Sequence, residues 1–158
     1  MDSEIRDLDR QSRHVTLYLI AAATLGLFLG YRLLAVTDRM VGVLAIALIG
    51  LSGSSVAALT SCLDRYANGF EREDGTKEPK EAKGETFNRR MARWFFVRPF
   101  LGFVVAPTFL WGIDFFGKDT DGFLDGPRHI AFSAFLGGLL AKSVIDLIKN
   151  LFKNVFRA

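Results

Sequence analysis

Cysteine is almost absent from this sequence: Cys62 is the only one among 158 residues. A single thiol excludes a disulfide framework and any metal site built from several cysteines. Charge is also sparse, since Asp, Glu, Lys and Arg make up 23% of the chain and stand in blocks. The chain as a whole is 50% hydrophobic and contains 15 phenylalanines. Disordered segments have few apolar and aromatic residues, so this composition excludes disorder for most of the chain.

Four apolar stretches are each long enough to form a membrane-spanning helix. They cover residues 15–36, 41–63, 95–116 and 130–148. A helix needs about 20 mostly apolar residues to cross a hydrocarbon core of roughly 30 Å. In the third stretch, Trp94 and Trp111 are separated by about 25 Å of helix, close to the distance between the two interfacial belts where Trp is enriched. The sequence therefore predicts an all-α, polytopic membrane protein, a single membrane domain (1–158) built as a four-transmembrane-helix bundle.

The basic residues predict how this bundle is oriented. Most of the 20 Lys and Arg residues lie before the first stretch, in the linker 64–93, or after the fourth stretch. Because cytoplasmic segments are enriched in Lys and Arg, we expect both termini and the linker to be cytoplasmic, in a bacterial inner (plasma) membrane. The formal net charge of +3 then lies beside anionic lipids, so the bilayer is the expected partner and nucleic acid is not.

The combinations of residues that catalysis requires are missing. His14 and His129 fall on opposite sides of the predicted membrane and so cannot share a metal ion. No Ser–His–Asp arrangement, HExxH pattern or paired carboxylate site is present. We therefore expect neither an enzyme nor a bound cofactor or metal.

The linker has two parts of different character. Residues 71–85 read EREDGTKEPKEAKGE, which mixes charges with Gly and Pro and has no large apolar side chain, so they predict a flexible segment. In residues 86–96, Phe87, Met91, Trp94 and Phe95 recur at helical spacing. This pattern is typical of a short helix lying in the headgroup layer, and the alternative is a docking surface for a cytosolic partner.

The C-terminal residues 144–157 have the clearest amphipathic pattern in the chain, with apolar residues on one helical face and Lys and Asn on the other. They predict a cytoplasmic amphipathic helix that lies on the membrane or packs beneath the bundle. An oligomerisation helix is the alternative.

Small residues recur every fourth position in three of the four stretches. Helices in lipid associate by close packing of such residues. The pattern predicts a tight bundle and also offers faces for a homo-oligomer. The candidate packing residues are Ala22, Gly26, Gly30, Gly50, Ala58, Ser133, Gly137 and Ala141.

Hydroxyl groups are concentrated in the second stretch. In a pore they would line the water path. In the alternative interpretation they donate back to their own helix and only pack. The residues concerned are Ser52, Ser54, Ser55, Thr60 and Ser61.

Charged residues within the stretches lie near their ends, which weighs against a proton relay or an ion-coupled carrier. Arg32 and Asp114 are expected to pair at the outer side, and Arg98, Lys142 and Asp146 at the inner side. The outer turn carries a cluster of acidic residues that predicts a tight solvated turn, with a weak divalent-cation site as the alternative. In an oligomer this cluster would form a ring that attracts cations, and its members are Asp119, Asp121 and Asp125.

Two classes of function follow from these patterns. The first is an oligomeric, ion-conducting or permeability-changing pore of the channel, holin or defence-effector type. The second is a non-conducting membrane scaffold or accessory subunit that recruits a cytosolic partner through the 64–93 linker and the C-terminal helix.

Overall fold

The computed structural model describes residues 3–35, 39–80, 84–116, 126–146 and 150. Most of these residues lie in four helices: α1 (Ser3–Leu34), α2 (Arg39–Asn68), α3 (Arg89–Phe116) and α4 (Pro127–Leu139). Between α2 and α3 the chain forms two short antiparallel strands, β1 (Phe70–Glu71) and β2 (Lys77–Glu78). The predicted helical fold is therefore confirmed, with the addition of one small β-hairpin.

Three of the helices are long and apolar enough to cross a membrane. They are Ser3–Leu34, Met40–Asn68 and Arg89–Gly112. This agrees with the first three predicted stretches and is compatible with a multi-pass membrane protein. Helix α1 has 32 residues and begins twelve positions before the predicted stretch, so its first turns extend beyond the apolar part.

Helix α4 is shorter, with 13 residues. Its hydrogen bonding nevertheless continues past its end, because the Leu140 amide donates to the Leu136 oxygen at 2.9 Å and the Val144 amide donates to the Leu140 oxygen at 3.0 Å. Residues 141–146 are again helical. Residues 147 and 148 of the predicted stretch, and most of the predicted amphipathic tail, lie outside the described residues.

Helix α2 is the centre of the bundle and packs against α1, α3 and α4. Its closest contacts are at Gly50, where the backbone meets Gly102 of α3 and Gly138 of α4. A methyl group at Gly138 would overlap the Gly50 carbonyl oxygen. Helices approach this closely only where side chains are absent, so the glycines allow three backbones to meet.

The predicted packing residues lie at helix contacts within the one chain. On α1, Gly26 and Gly30 face α2, where added Cβ atoms would meet the carbonyl oxygens of Leu48 and Ala45. The others are buried except for Ala22, which is half-buried: Gly50, Ala58, Ser133, Gly137 and Ala141. In the structure, several of these small-residue faces, those of Gly26, Gly30, Gly50 and Gly137 among them, contact neighbouring helices of the same chain.

Residues 69–80 and 84–88, between α2 and α3, form hydrogen-bonded structure where the composition of 71–85 predicts a flexible segment. The Glu71 amide donates to the Phe87 oxygen at 2.9 Å, and the Phe87 amide donates to the Gly69 oxygen at 2.8 Å. The Phe87 side chain is fully buried, stacked on Phe95 and edge-on to Phe70. For residues 71–80 and 84–85 the structure differs from that prediction because the aromatic residues that anchor them, Phe70 and Phe87, flank the segment; residues 81–83 lie outside the described residues.

The first turns of α1 pack against this hairpin. The Glu73 amide donates to the Glu4 carboxylate at 3.0 Å, and the Tyr66 hydroxyl donates to the Asp9 carboxylate at 3.0 Å. Ile5 and Leu8 are buried on the inner face of the helix. We call residues 3–14, 69–80 and 84–88 the hairpin layer, and the side of the bundle that carries it the hairpin end.

The predicted separate headgroup helix at 86–96 is also wrong. The Asn88 side chain accepts a hydrogen bond from the Met91 amide at 2.9 Å, which caps a helix at its N-terminus. From Arg89 onward the residues form the first turns of α3 and continue directly into its apolar part.

Candidate functional site

The serine and threonine hydroxyl groups of α2 are all bonded to backbone oxygens. Ser52 donates to Ala23 of α1 at 2.6 Å, and Ser54 donates to Arg98 of α3 at 2.8 Å. The other three donate within α2: Ser55 to Leu51, Thr60 to Ala57, and Ser61 to Ala57. Ser52, Ser54 and Ser55 are buried, whereas Thr60 is exposed. The packing interpretation expected all five to donate back to α2; three of them do, whereas Ser52 and Ser54 donate to neighbouring helices, and the pore-lining role stays a prediction.

A cleft of about 680 Å³ opens at the hairpin end, where α2, α3 and the residues after α4 meet. Its basic side chains are Arg65 at the end of α2, Arg90 and Arg98 of α3, and Lys142. Trp94 and Phe95 contribute an apolar wall. We call this the basic cleft.

Two acidic residues also line the basic cleft. Glu85 forms an ion pair with Arg65, and Asp64 lies beside it. Asp64 is therefore the one carboxylate left to balance the other three basic residues, Arg90, Arg98 and Lys142. The cleft carries an excess of positive charge.

Arg98 is held in an unusual environment for a guanidinium group. The residue is only 8% exposed. Its Nη1 donates to the Ser61 hydroxyl at 3.0 Å, and its backbone oxygen accepts from Ser54, so both ends of the residue are attached to α2. Within the part of the chain that the structure describes, no carboxylate forms an ion pair with Arg98.

The charged residues singled out from the sequence are only partly brought together. Arg98 and Lys142 line the same cleft, while Asp146 is exposed about one turn after Lys142. Arg32 is exposed near the end of α1. The side chain of Asp114 and the whole outer acidic turn, with Asp119, Asp121 and Asp125, lie outside the described residues, so those predictions stay predictions.

Arg65 and Arg90 were not singled out from the sequence as site residues. In the sequence they belong to the block of basic residues that predicts orientation, together with Arg89 and Arg93. The available signal was helical periodicity: Arg90 and Arg98 are about two turns apart and share one face of α3.

A second groove, of about 570 Å³, lies between the start of α1, the hairpin and the start of α3. Four arginines and three glutamates line it, and two of the arginines, Arg72 and Arg89, form ion pairs. Arg89 pairs with Glu73 at 2.7 Å, and Arg72 pairs with Glu78 at 2.5 Å. This groove therefore presents a mixed, paired surface, in contrast to the basic cleft.

The tip of the hairpin is a turn fixed by Asp74. Its carboxylate accepts hydrogen bonds from the Thr76 hydroxyl at 2.6 Å and from the Thr76 amide at 2.8 Å. These bonds favour the charged form and lower the pKa of Asp74 below its usual range. Gly75 follows with a φ of 82°, which other residues rarely adopt, so the Asp–Gly pair specifies a defined turn.

Metal ligands are not clustered in the described ranges: within them, no group of three or more His, Cys, Asp or Glu side chains is placed to hold a metal ion. The groups that the basic cleft offers to a ligand are its basic and aromatic side chains. No protein-family model, curated protein or solved structure matches this chain.

Proposed function

We propose that this chain is a four-span protein of the bacterial inner membrane that serves as a non-conducting scaffold, docking a cytosolic partner through the hairpin layer. The observation that carries the proposal is the hairpin layer itself. It is a folded, charged surface attached to apolar helices, held by Phe87 and by the Glu4 contact to the hairpin. A surface that is already ordered loses little conformational entropy on binding.

The distribution of apolar side chains supports a membrane location. Large apolar side chains point away from the bundle: Trp111 is 69% exposed, Val104 65% and Phe28 63%. Small residues fill the contacts between helices, as at Gly50 and Gly102. Large residues outside and small residues inside are the arrangement expected where lipid surrounds the helices.

The fourth span is supported by the continuation of α4. Hydrogen bonds at Leu140 link it to residues 141–146, so the helical path covers 127–146, about 30 Å. Near its start, Ala134 packs in a cluster with Leu110 of α3, and at its far end Lys142 reaches the basic cleft beside Arg98. The path therefore runs alongside α3 for most of its apolar length.

Orientation follows from the charges at the hairpin end. Arg65, Arg72, Arg89, Arg90 and Arg93 all belong to this end. Under the positive-inside rule this end is cytoplasmic, together with the N-terminus and the end of the fourth span.

We propose that the protein does not conduct because the residues that suggested a pore make contacts within a single chain. The buried hydroxyls of α2 bond to neighbouring backbone oxygens, and the small-residue faces contact other helices of the same chain. A pore would need a further self-association surface.

The first test measures assembly and conduction. We expect the purified chain to run as a monomer or a small assembly in detergent and to pass no current above that of an empty planar bilayer. Thr60→Leu is the matched variant for the pore alternative, because Thr60 is the exposed hydroxyl of α2 and its replacement leaves the core intact. A ring-shaped particle whose current changes in Thr60→Leu would replace the scaffold by the pore.

The second test concerns the docking surface. A photo-crosslinking amino acid at Lys77, an exposed position on β2, should form a protein adduct in cells, whereas the same probe at the lipid-facing Val104 should not. The same probe at position 73 should also form a protein adduct. Reversing the charges nearby with Lys77→Glu and Lys80→Glu should remove the adduct formed at position 73. If probes at positions 73, 77 and 80 give no protein adduct, or the charge reversal leaves it unchanged, the hairpin layer is not the dock.

A further inference from the structure

We propose that the basic cleft binds the phosphate group of an anionic ligand, with Arg98 and Lys142 as its main contacts. This proposal does not depend on partner docking, since phosphate binding needs only the cleft's own side chains; the cleft shares Glu85 and Asn88 with the hairpin layer but includes no residue of strand β2. The ligand chemistry can come from a lipid headgroup or from a soluble phosphate compound.

The first argument is that, among the described residues, no carboxylate forms an ion pair with Arg98. A guanidinium group that is removed from water is costly unless it is paired and hydrogen-bonded. Its partner in the structure, the Ser61 hydroxyl, is neutral and donates its own proton to Ala57. Arg98 carries five N–H donors in a planar fork that matches phosphate oxygens, and among the described residues Ser61 accepts from only one of its nitrogens.

The second argument is the set of like charges around the same opening. Arg90 and Lys142 lie in the cleft with Arg98, although like charges repel one another. A bound phosphate would relieve this repulsion and accept charge-assisted hydrogen bonds from several of these groups.

The third argument is the position and lining of the cleft. Trp94 lies on its wall and is 38% exposed, at the end of the apolar part of α3 where interfacial Trp residues are found. Phe95 and Met91 add apolar surface next to the basic groups. The cleft thus offers cations for a phosphate and apolar contacts for the glycerol or acyl part of a lipid.

The experiment uses the full chain with the substitution Trp111→Phe, so that Trp94 is the only tryptophan. Binding in the cleft is measured as a change in the fluorescence of Trp94. One arm titrates inorganic phosphate and glycerol 3-phosphate into the protein in neutral detergent. The other arm compares nanodiscs of phosphatidylcholine with nanodiscs that also contain phosphatidylglycerol, and counts retained lipids by native mass spectrometry.

The key variant is Lys142→Gln, because Lys142 is exposed and its loss does not disturb the core. We expect about tenfold weaker binding, as for the loss of one hydrogen bond between charged groups. Arg93→Gln is the control: it removes the same charge from the same end of α3 but does not line the cleft. Arg98→Lys, which keeps the charge and loses the fork, should also weaken binding.

Each outcome is decisive. A response to phosphatidylglycerol alone identifies a lipid site, and a response to soluble phosphates identifies a site for a soluble ligand; both support the proposal if Lys142→Gln weakens binding more than Arg93→Gln. The proposal is overturned if neither probe binds, or if the two variants bind equally well.

Discussion

Gly138→Ala should destabilise the helical bundle by about 2–3 kcal/mol, because the added methyl group would overlap the Gly50 backbone. The overlapping atom is a carbonyl oxygen of α2, which cannot rotate away as a side chain can. Helix α4 must then move as a whole, which also disturbs its contact with α3. The expected result is a lower melting temperature with the helical content retained below it.

Cys62 provides the readout for this variant. Its thiol is fully buried and is the only one in the chain, so a thiol-reactive fluorophore labels the protein only when the helices separate. Gly42→Ala is the matched control, since an added Cβ there meets nothing within 4 Å and alanine favours a helix. Equal melting temperatures for the two variants would show that the three backbones do not meet as described.

Phe87→Ala should destabilise the hairpin layer by about 3–5 kcal/mol, the usual cost of removing a buried aromatic ring. The ring is 0% exposed and packs between Phe70 and Phe95. Its loss removes the main apolar link between the hairpin and the helices. We expect the hairpin to open while the long apolar helices stay associated.

Hydrogen exchange measures this local opening. The amides of Glu71 and residue 87, which bond across the hairpin layer, should exchange much faster in Phe87→Ala, whereas amides in the middle of α2 should be unchanged. Phe132→Ala serves as the control because this ring is 62% exposed on α4. Protected hairpin amides in Phe87→Ala would mean that the ring is not the anchor.

The helices could be predicted from the sequence because their signal is local. A long run without charge excludes most other structures, and the small residues at four-residue spacing mark the faces that pack, as at Gly26 and Gly50. The end of the apolar run does not fix the end of a helix, however. Helix α1 begins at Ser3 because its polar first turns gain contacts with residues some 70 positions later.

The hairpin layer could not be predicted in the same way. Residues 71–85 have no apolar side chain able to form a core, and the order of the described part, 71–80 and 84–85, depends on Phe70 and Phe87 meeting across the segment. For the basic cleft, the sequence predicted that Arg98 and Lys142 lie at the same end. The contributions of Arg65 and Arg90 depend on helix rotation, which composition does not specify.

The order of synthesis along the chain determines when the hairpin layer can fold. Ile5 and Leu8 are translated before Glu71 and Arg72, which line the same groove as Leu8 and are made only after α1 and α2. The first turns of α1 therefore keep these apolar side chains uncovered until α1, α2 and the hairpin have all been synthesised. Folding of the hairpin layer is consequently a late step, and it completes only when Phe87 has left the ribosome.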